Sequence, residues 1–161
     1  MTTNIAKKQA ERPDPLAVWS TLVGVYQAVL HDVVQALGEQ AGIDSGVFSA
    51  LAYLERSATP HRMRMSELQS SLHPRYSQPG FSRLVQRMEI DGLVERRADP
   101  ADRRAVILST TRLGRRAYER ANAVYGAAVQ EHFGRHLTAT GGTNVTRALQ
   151  QVARRRRAVT T

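Results

Sequence analysis

The sequence predicts a mostly α-helical fold with one small β-hairpin. Apolar residues recur at helical spacing through most of the 161 residues, and one stretch, Leu93 to Ser109, reads as two extended runs around a turn. Charge supplies a third observation. Four arginines, Arg96, Arg97, Arg103 and Arg104, flank that turn. Like charges held at one tip repel, so a negative partner from outside the chain is expected.

The elements follow in order. Residues 1–13 show no periodicity and read as a disordered tail. Asp14–Pro15 is an N-cap followed by proline at the first helical position. Trp19, Leu22, Val23, Tyr26, Val29, Leu30, Val33, Val34 and Leu37 then mark a long amphipathic helix ending near Gly38–Gly42. Asp44 or Ser45 caps a second helix with Val47, Phe48, Leu51 and Leu54 inward. "SATPHRMRM" is a connector with a short extended piece at Met63–Met65.

Ser66-Glu67-Leu68-Gln69 fits a capping box, with Ser66 as N-cap of a short helix running to about Leu72. "HPRYSQPG" breaks it. Ser77 caps the next helix, whose apolar stripe is Phe81, Leu84, Val85 and Met88, and Asp91–Gly92 ends it. After the hairpin, with its turn at Asp99–Pro100, Thr111 caps a long helix carrying Leu113, Ala117, Ala121, Val124, Ala128 and Val129 on one side. Gly141–Gly142 separates it from a last helix with Val145, Ala148, Leu149 and Val152. No internal repeat is present.

Composition narrows the function. The length suits one domain with a core. No cysteine is present, which excludes disulfides, thiolate metal sites and thiol switching. The N-terminus lacks the apolar region of a signal peptide and no apolar run approaches a membrane span, so a cytoplasmic protein without membrane contact is expected. Net charge is +9, and it is unevenly spread: thirteen arginines face seven acids between residues 62 and 120. A polyanionic partner is expected. No phosphate loop, nucleophile elbow or paired-carboxylate motif appears, so no enzyme is expected. His31–Asp32 point about 100° apart on a helix. His132 and His136 lack a third ligand, so neither a metal nor a cofactor is expected.

Helix, turn, helix and hairpin in that order form a winged helix-turn-helix, here between long flanking helices. On a helical wheel, Ser82, Arg83, Gln86 and Arg87 lie opposite the apolar stripe of the second helix, with Gln78 near the boundary. Such side chains pair with base edges and phosphates, although an ordinary solvated helix face has the same composition. Asp99 and Asp102 read as turn formers that bond local N–H groups or orient a neighbouring arginine.

The hairpin also resembles a known signature. Gly92-Leu93-Val94-Glu95-Arg96, Asp102-Arg103-Arg104 and Thr111-Arg112-Leu113-Gly114 are similar, in order and spacing, to the G-L-V-x-R, D-x-R and T-x-x-G signature of the MarR family of transcriptional regulators. "SRLVQRME", Ser82 to Glu89, is similar to the end of that family's recognition helix. Thr110 stands where the family usually has leucine, and "HPRYSQPG" is longer than its common form.

The resemblance implies a homodimeric, sequence-specific binder of double-stranded DNA at a pseudo-palindromic operator, a repressor released by a small phenolic or anionic effector. It implies that Ser77, Gln78, Gly80, Ser82, Arg83 and Arg87 face the major groove or its phosphates. Ser66 would lie near a phosphate. Arg103 and Arg104 would sit at the wing, with Arg104 in the minor groove, and Arg96 and Arg97 would line the wing's base. Dimerisation helices would span about 14–40 and 112–153, the winged helix-turn-helix about 44–110, and a basic tail 154–161. Trp19, Tyr26, His31, Phe48, Tyr53 and Tyr118 would line an effector crevice between dimer arm and DNA lobe, although core or interface packing explains such residues equally well. The competing reading is a winged-helix module for protein interaction or dimerisation that does not bind DNA.

Overall fold

The computed structural model describes residues 13–59 and 61–159. All but the last residue of the expected 1–13 tail lies outside them. Six α-helices and three strands follow one another: α1 (Pro15–Ala36), α2 (Ser45–Glu55), β1 (Arg62–Arg64), α3 (Met65–Leu72), α4 (Gln78–Ile90), β2 (Val94–Asp99), β3 (Asp102–Thr110), α5 (Arg112–His132) and α6 (Ala139–Val159). A π-helical turn, Leu37–Ala41, extends α1, and a short 3-10 turn, Gly134–His136, follows α5.

The caps explain most of the boundaries. The Asp14 carboxylate accepts from the N–H groups of Leu16 and Ala17 at 3.1 and 3.3 Å. Asp44 accepts from Gly46 N–H at 2.7 Å, Ser77 Oγ from Gly80 N–H at 3.3 Å, and Thr111 Oγ1 from Gly114 N–H at 3.0 Å. Each satisfies a donor that the first helical turn leaves without a partner. Gly92 closes α4 at φ 69°, the left-handed conformation a side chain would resist.

The core lies beneath α2, α3 and α4 and is closed by the sheet. Leu51, Leu54, Leu68, Phe81, Val85, Met88 and Leu108 are all under 2% exposed. Burying each such side chain contributes about 1.5–3 kcal/mol. Ala117 and Ala121 of α5 complete the floor, and their small size lets that helix approach closely.

Several expectations need correction. The extended piece placed at Met63–Met65 is a true strand one residue earlier, and it pairs with β3 (Met63 opposite Leu108), giving an antiparallel sheet of order β1-β3-β2. Ser66 is not a cap: α3 begins at Met65 with Arg64 as N-cap and no side-chain cap hydrogen bond, because Arg64 is still held extended by the strand. Gly141–Gly142 does not separate the last two helices. The break falls at Phe133–Leu137, and both glycines lie inside α6. The sequence expected as a basic tail from residue 154 remains helical to Val159. Finally, Pro15–Ala41 is long and apolar enough, by length and composition, to span a membrane. Its exposed apolar residues, Leu16, Val18, Trp19, Leu22, Val25 and Tyr26, form an open face interrupted further along by His31 and Asp32.

Two substitutions test this packing. A Cβ added at Gly114 would collide with the Leu93 carbonyl, which is backbone and cannot yield. Gly114→Ala is expected to lower stability by about 1–3 kcal/mol in urea unfolding. Thr110 is 5% exposed and its Oγ1 has no hydrogen-bond partner among the described residues. Thr110→Val keeps the shape and removes that hydroxyl, so it is expected to raise stability by about 1 kcal/mol in the same assay.

Candidate nucleic-acid interface

Helix α4 presents two unlike faces. Phe81, Leu84, Val85 and Met88 are buried, while Gln78, Ser82, Arg83, Gln86 and Arg87 are exposed. Gly80 is half-buried in the first turn and Ser77 is occupied as the cap. The outer face therefore combines two guanidinium groups with short hydrogen-bonding side chains, and its N-terminal end projects unpaired N–H groups. Ser66 is exposed in the first turn of α3.

The wing is braced from two sides. Its turn is set by Asp99, which accepts from Ala101 N–H at 2.9 Å, and by Asp102, which accepts from Arg104 N–H at 3.0 Å. The other Asp99 oxygen receives Arg64 Nε at 2.9 Å and Nη2 at 2.7 Å, so the wing tip is tied to β1 and the start of α3. Asp99 is only 6% exposed. Its carboxyl is nevertheless held below the ordinary value, first by the Ala101 N–H and then by Arg64, against the opposing effect of burial. On the other side, Arg96 Nε meets Glu89 Oε2 of α4 at 2.7 Å and couples the wing to the helix.

These pairs change the count of available cations. Arg96 is taken up by Glu89, Arg97 pairs with Glu95 at 3.0 Å, and Arg87 approaches Asp91 at 3.7 Å. Among the described residues, Arg83 and Arg104 have no carboxylate within salt-bridge distance, and both are exposed. The Arg103 side chain lies outside the described residues, as do the side chains of Arg156 and Arg157.

The expected crevice residues divide. Tyr26, Phe48 and Tyr53 line one cavity of about 360 Å³ between α1, α2 and α5. Tyr118 stacks on Phe48 at a centroid distance of 6.0 Å from behind that wall. Trp19 and His31 lie on α1 and are exposed outside the cavity. Sequence reasoning missed Tyr125, which stacks on Phe48 at 5.1 Å, and Arg56 and Arg75, which line the same cavity. It also missed Tyr76, whose hydroxyl a Cβ at Gly46 would strike. Burial, and after it Asp44, raises the Tyr76 phenol pKa. His132 meets Asp32 at 3.3 Å, a link between α5 and α1. Among the described residues no group of three His, Cys, Asp or Glu could hold a metal.

Two helices followed by a braced hairpin define a winged helix-turn-helix protein. Residues 41–105 match the model of the MarR family. AbsC, a MarR family transcriptional regulator from Streptomyces coelicolor, is 26% identical and superposes with a TM-score of 0.74 over 89% of this chain and 94% of its own. A second MarR family transcriptional regulator from S. coelicolor, in complex with DNA, is 24% identical with a TM-score of 0.72 over 86% of this chain and 84% of its own. A mutant MarR from E. coli complexed with operator DNA is 22% identical, with a TM-score of 0.66 over 86% and 98% of the two chains. No curated protein matches in sequence. The winged-helix segment is thus similar to the MarR family, and the fold is that of solved MarR family transcriptional regulators.

The Asp99 linkage gives a pH signature. A carboxyl whose folded pKa is depressed contributes stability above its unfolded value of about 3.9, and that contribution is lost as pH falls through the folded value. Asp99→Asn is expected to flatten the fall of Tm with pH below about pH 4, read by calorimetry.

Proposed function

We propose that the chain is a homodimeric, sequence-specific DNA-binding transcriptional regulator, a repressor released by a small phenolic or anionic ligand. One observation carries the DNA reading: Arg83 and Arg104 stand exposed on helix and wing without an acid of their own, on elements locked together by the Arg96–Glu89 pair. Arg83 would meet the major groove beside Gln78, Ser82 and Gln86. Arg104 would enter the minor groove, where negative potential is concentrated. The similar proteins solved with DNA support this use of the fold.

Support for the dimer comes from α6. Every side chain from Thr143 to Arg155 is exposed, including Val145, Leu149 and Val152. The first half of α1 is equally open. A second copy would cover both, which also accounts for the apolar length of α1 without a membrane. Two recognition helices would then reach successive major grooves about 34 Å apart. A ligand in the crevice between α1, α2 and α5 would alter that spacing.

Four free arginines in a dimer would release about four counterions. Affinity for a duplex selected from a random pool is therefore expected to fall at least about a hundredfold between 50 and 200 mM salt. A flat response in fluorescence anisotropy would favour the protein-interaction module instead. Arg104→Ala is expected to weaken the duplex about tenfold or more while leaving Tm unchanged. Leu149→Glu is expected to convert a dimer to a monomer in sedimentation at micromolar concentration, and a wild-type monomer there would overturn the spacing mechanism.

A further inference from the structure

Helix α5 carries a line of like charges on the side turned away from the core. Arg112, Arg116 and Arg120 follow one another at every fourth position and are all exposed. Four residues advance a helix by about 6 Å and about 40°, so the three guanidinium groups run along one face. Among the described residues none of them has a carboxylate within 4.0 Å, although Glu119 is exposed at one edge of the same face. Arg115, by contrast, is half-buried and donates to the Thr110 carbonyl at 3.2 Å. Like charges at four-residue spacing weaken a helix, and the chain supplies no answering acids. Apolar side chains flank the line on its other edge. Leu113 is 56% exposed, and Ile90, the last residue of α4, is 78% exposed. Both flank the turn at Gly92: Leu113 Cδ2 lies 3.7 Å from where a Gly92 Cβ would stand.

We propose that this face docks an acidic amphipathic helix of another protein, its carboxylates on the arginine line and its apolar side chains on Leu113 and Ile90. Acids at every fourth position of a helix repeat with the same rise as the arginines. A duplex offers phosphates to the arginines but nothing to an exposed leucine and isoleucine, whereas an amphipathic helix answers both. The line also starts at the base of the wing, and the six residues of β2 put about 20 Å of strand between it and the wing tip. From there α5 packs onto α2, through Tyr118 and Tyr125 against Phe48, and ends at α1 with the His132–Asp32 contact. The arginines therefore follow the body of the protein and not the hairpin. A second copy meeting this face with its own would set arginine against arginine, which argues against a symmetric self-contact. The face shares no residue with α6 or the first half of α1, and the reading does not depend on DNA binding.

The probe is a stapled helical peptide of about 15 residues with glutamate at every fourth position and leucine beside each. In calorimetry on the full chain it is expected to bind at least about tenfold tighter than the same peptide with glutamine for glutamate. Arg116→Glu is expected to abolish that preference and transfer it to a peptide carrying lysine for glutamate, an exchange that a merely structural arginine would not produce. Ile90→Ser combined with Leu113→Ser is expected to weaken the glutamate peptide about fivefold or more. Arg116→Gln is expected to leave affinity for the selected duplex within about twofold at about 150 mM salt. Equal binding of the glutamate and glutamine peptides, no binding of either, or wild-type preference in Arg116→Glu would each overturn the proposal. So would a loss of about tenfold or more in the duplex affinity of Arg116→Gln, which would make the face a DNA contact instead.

Discussion

The junction of Leu93 with Thr111 holds the two halves of the molecule in register. The Leu93 carbonyl accepts from Thr111 N–H at 3.0 Å, and Thr111 Oγ1 donates to the Gly92 carbonyl at 2.7 Å. The same hydroxyl then caps α5 through Gly114. One side chain therefore closes the loop before β2 and starts the long helix after β3. Gly114 has no Cβ because the Leu93 carbonyl occupies its place. The T-x-x-G pattern is thereby explained by contact: threonine supplies the clasp and glycine the clearance. The wing leaves and returns at this one point, so its direction is set by α5.

Much of the fold could be read in the residues because it is local. Asp14–Pro15, Asp44, Ser77 and Thr111 each act on an N–H two or three positions away, and such pairs are visible as spacing. The stripe of Phe81, Leu84, Val85 and Met88 is likewise a matter of period. Errors arose where a distant partner intervened. Ser66 has the spacing of a cap, but β3 holds Arg62–Arg64 extended and moves the helix start to Met65. Gly141–Gly142 reads as a break by composition, yet the chain turns earlier, where Thr138 Oγ1 can cap Gly141 N–H at 3.0 Å.

The interface was legible in outline and not in its charge balance. Arg83 and Arg87 fall on the outer face by periodicity alone. Whether an arginine is free depends on acids brought near by folding, and no spacing rule reports that. Glu89 reaches Arg96 across seven positions and Asp99 reaches Arg64 across thirty-five. A part-exposed pair such as Glu89–Arg96 contributes little to stability, about 0–1 kcal/mol. The effect of both pairs is positional, because one holds the wing to α4 and the other to β1 and the start of α3. The crevice was harder still. Arg56 and Arg75 carry no motif and line one cavity only because α2 and the turn before α4 fold over the same opening.

The bare stripe of α6 has a consequence for how much protein a cell needs. With Val145, Leu149 and Val152 uncovered by their own chain, the proposed pairing would make shelter from solvent a two-body event. Occupancy of a target bound by the proposed pair would then climb with the square of copy number at low abundance and only in proportion to it once most protomers have found one another. Dilution by growth would erode the signal faster than it erodes the protein.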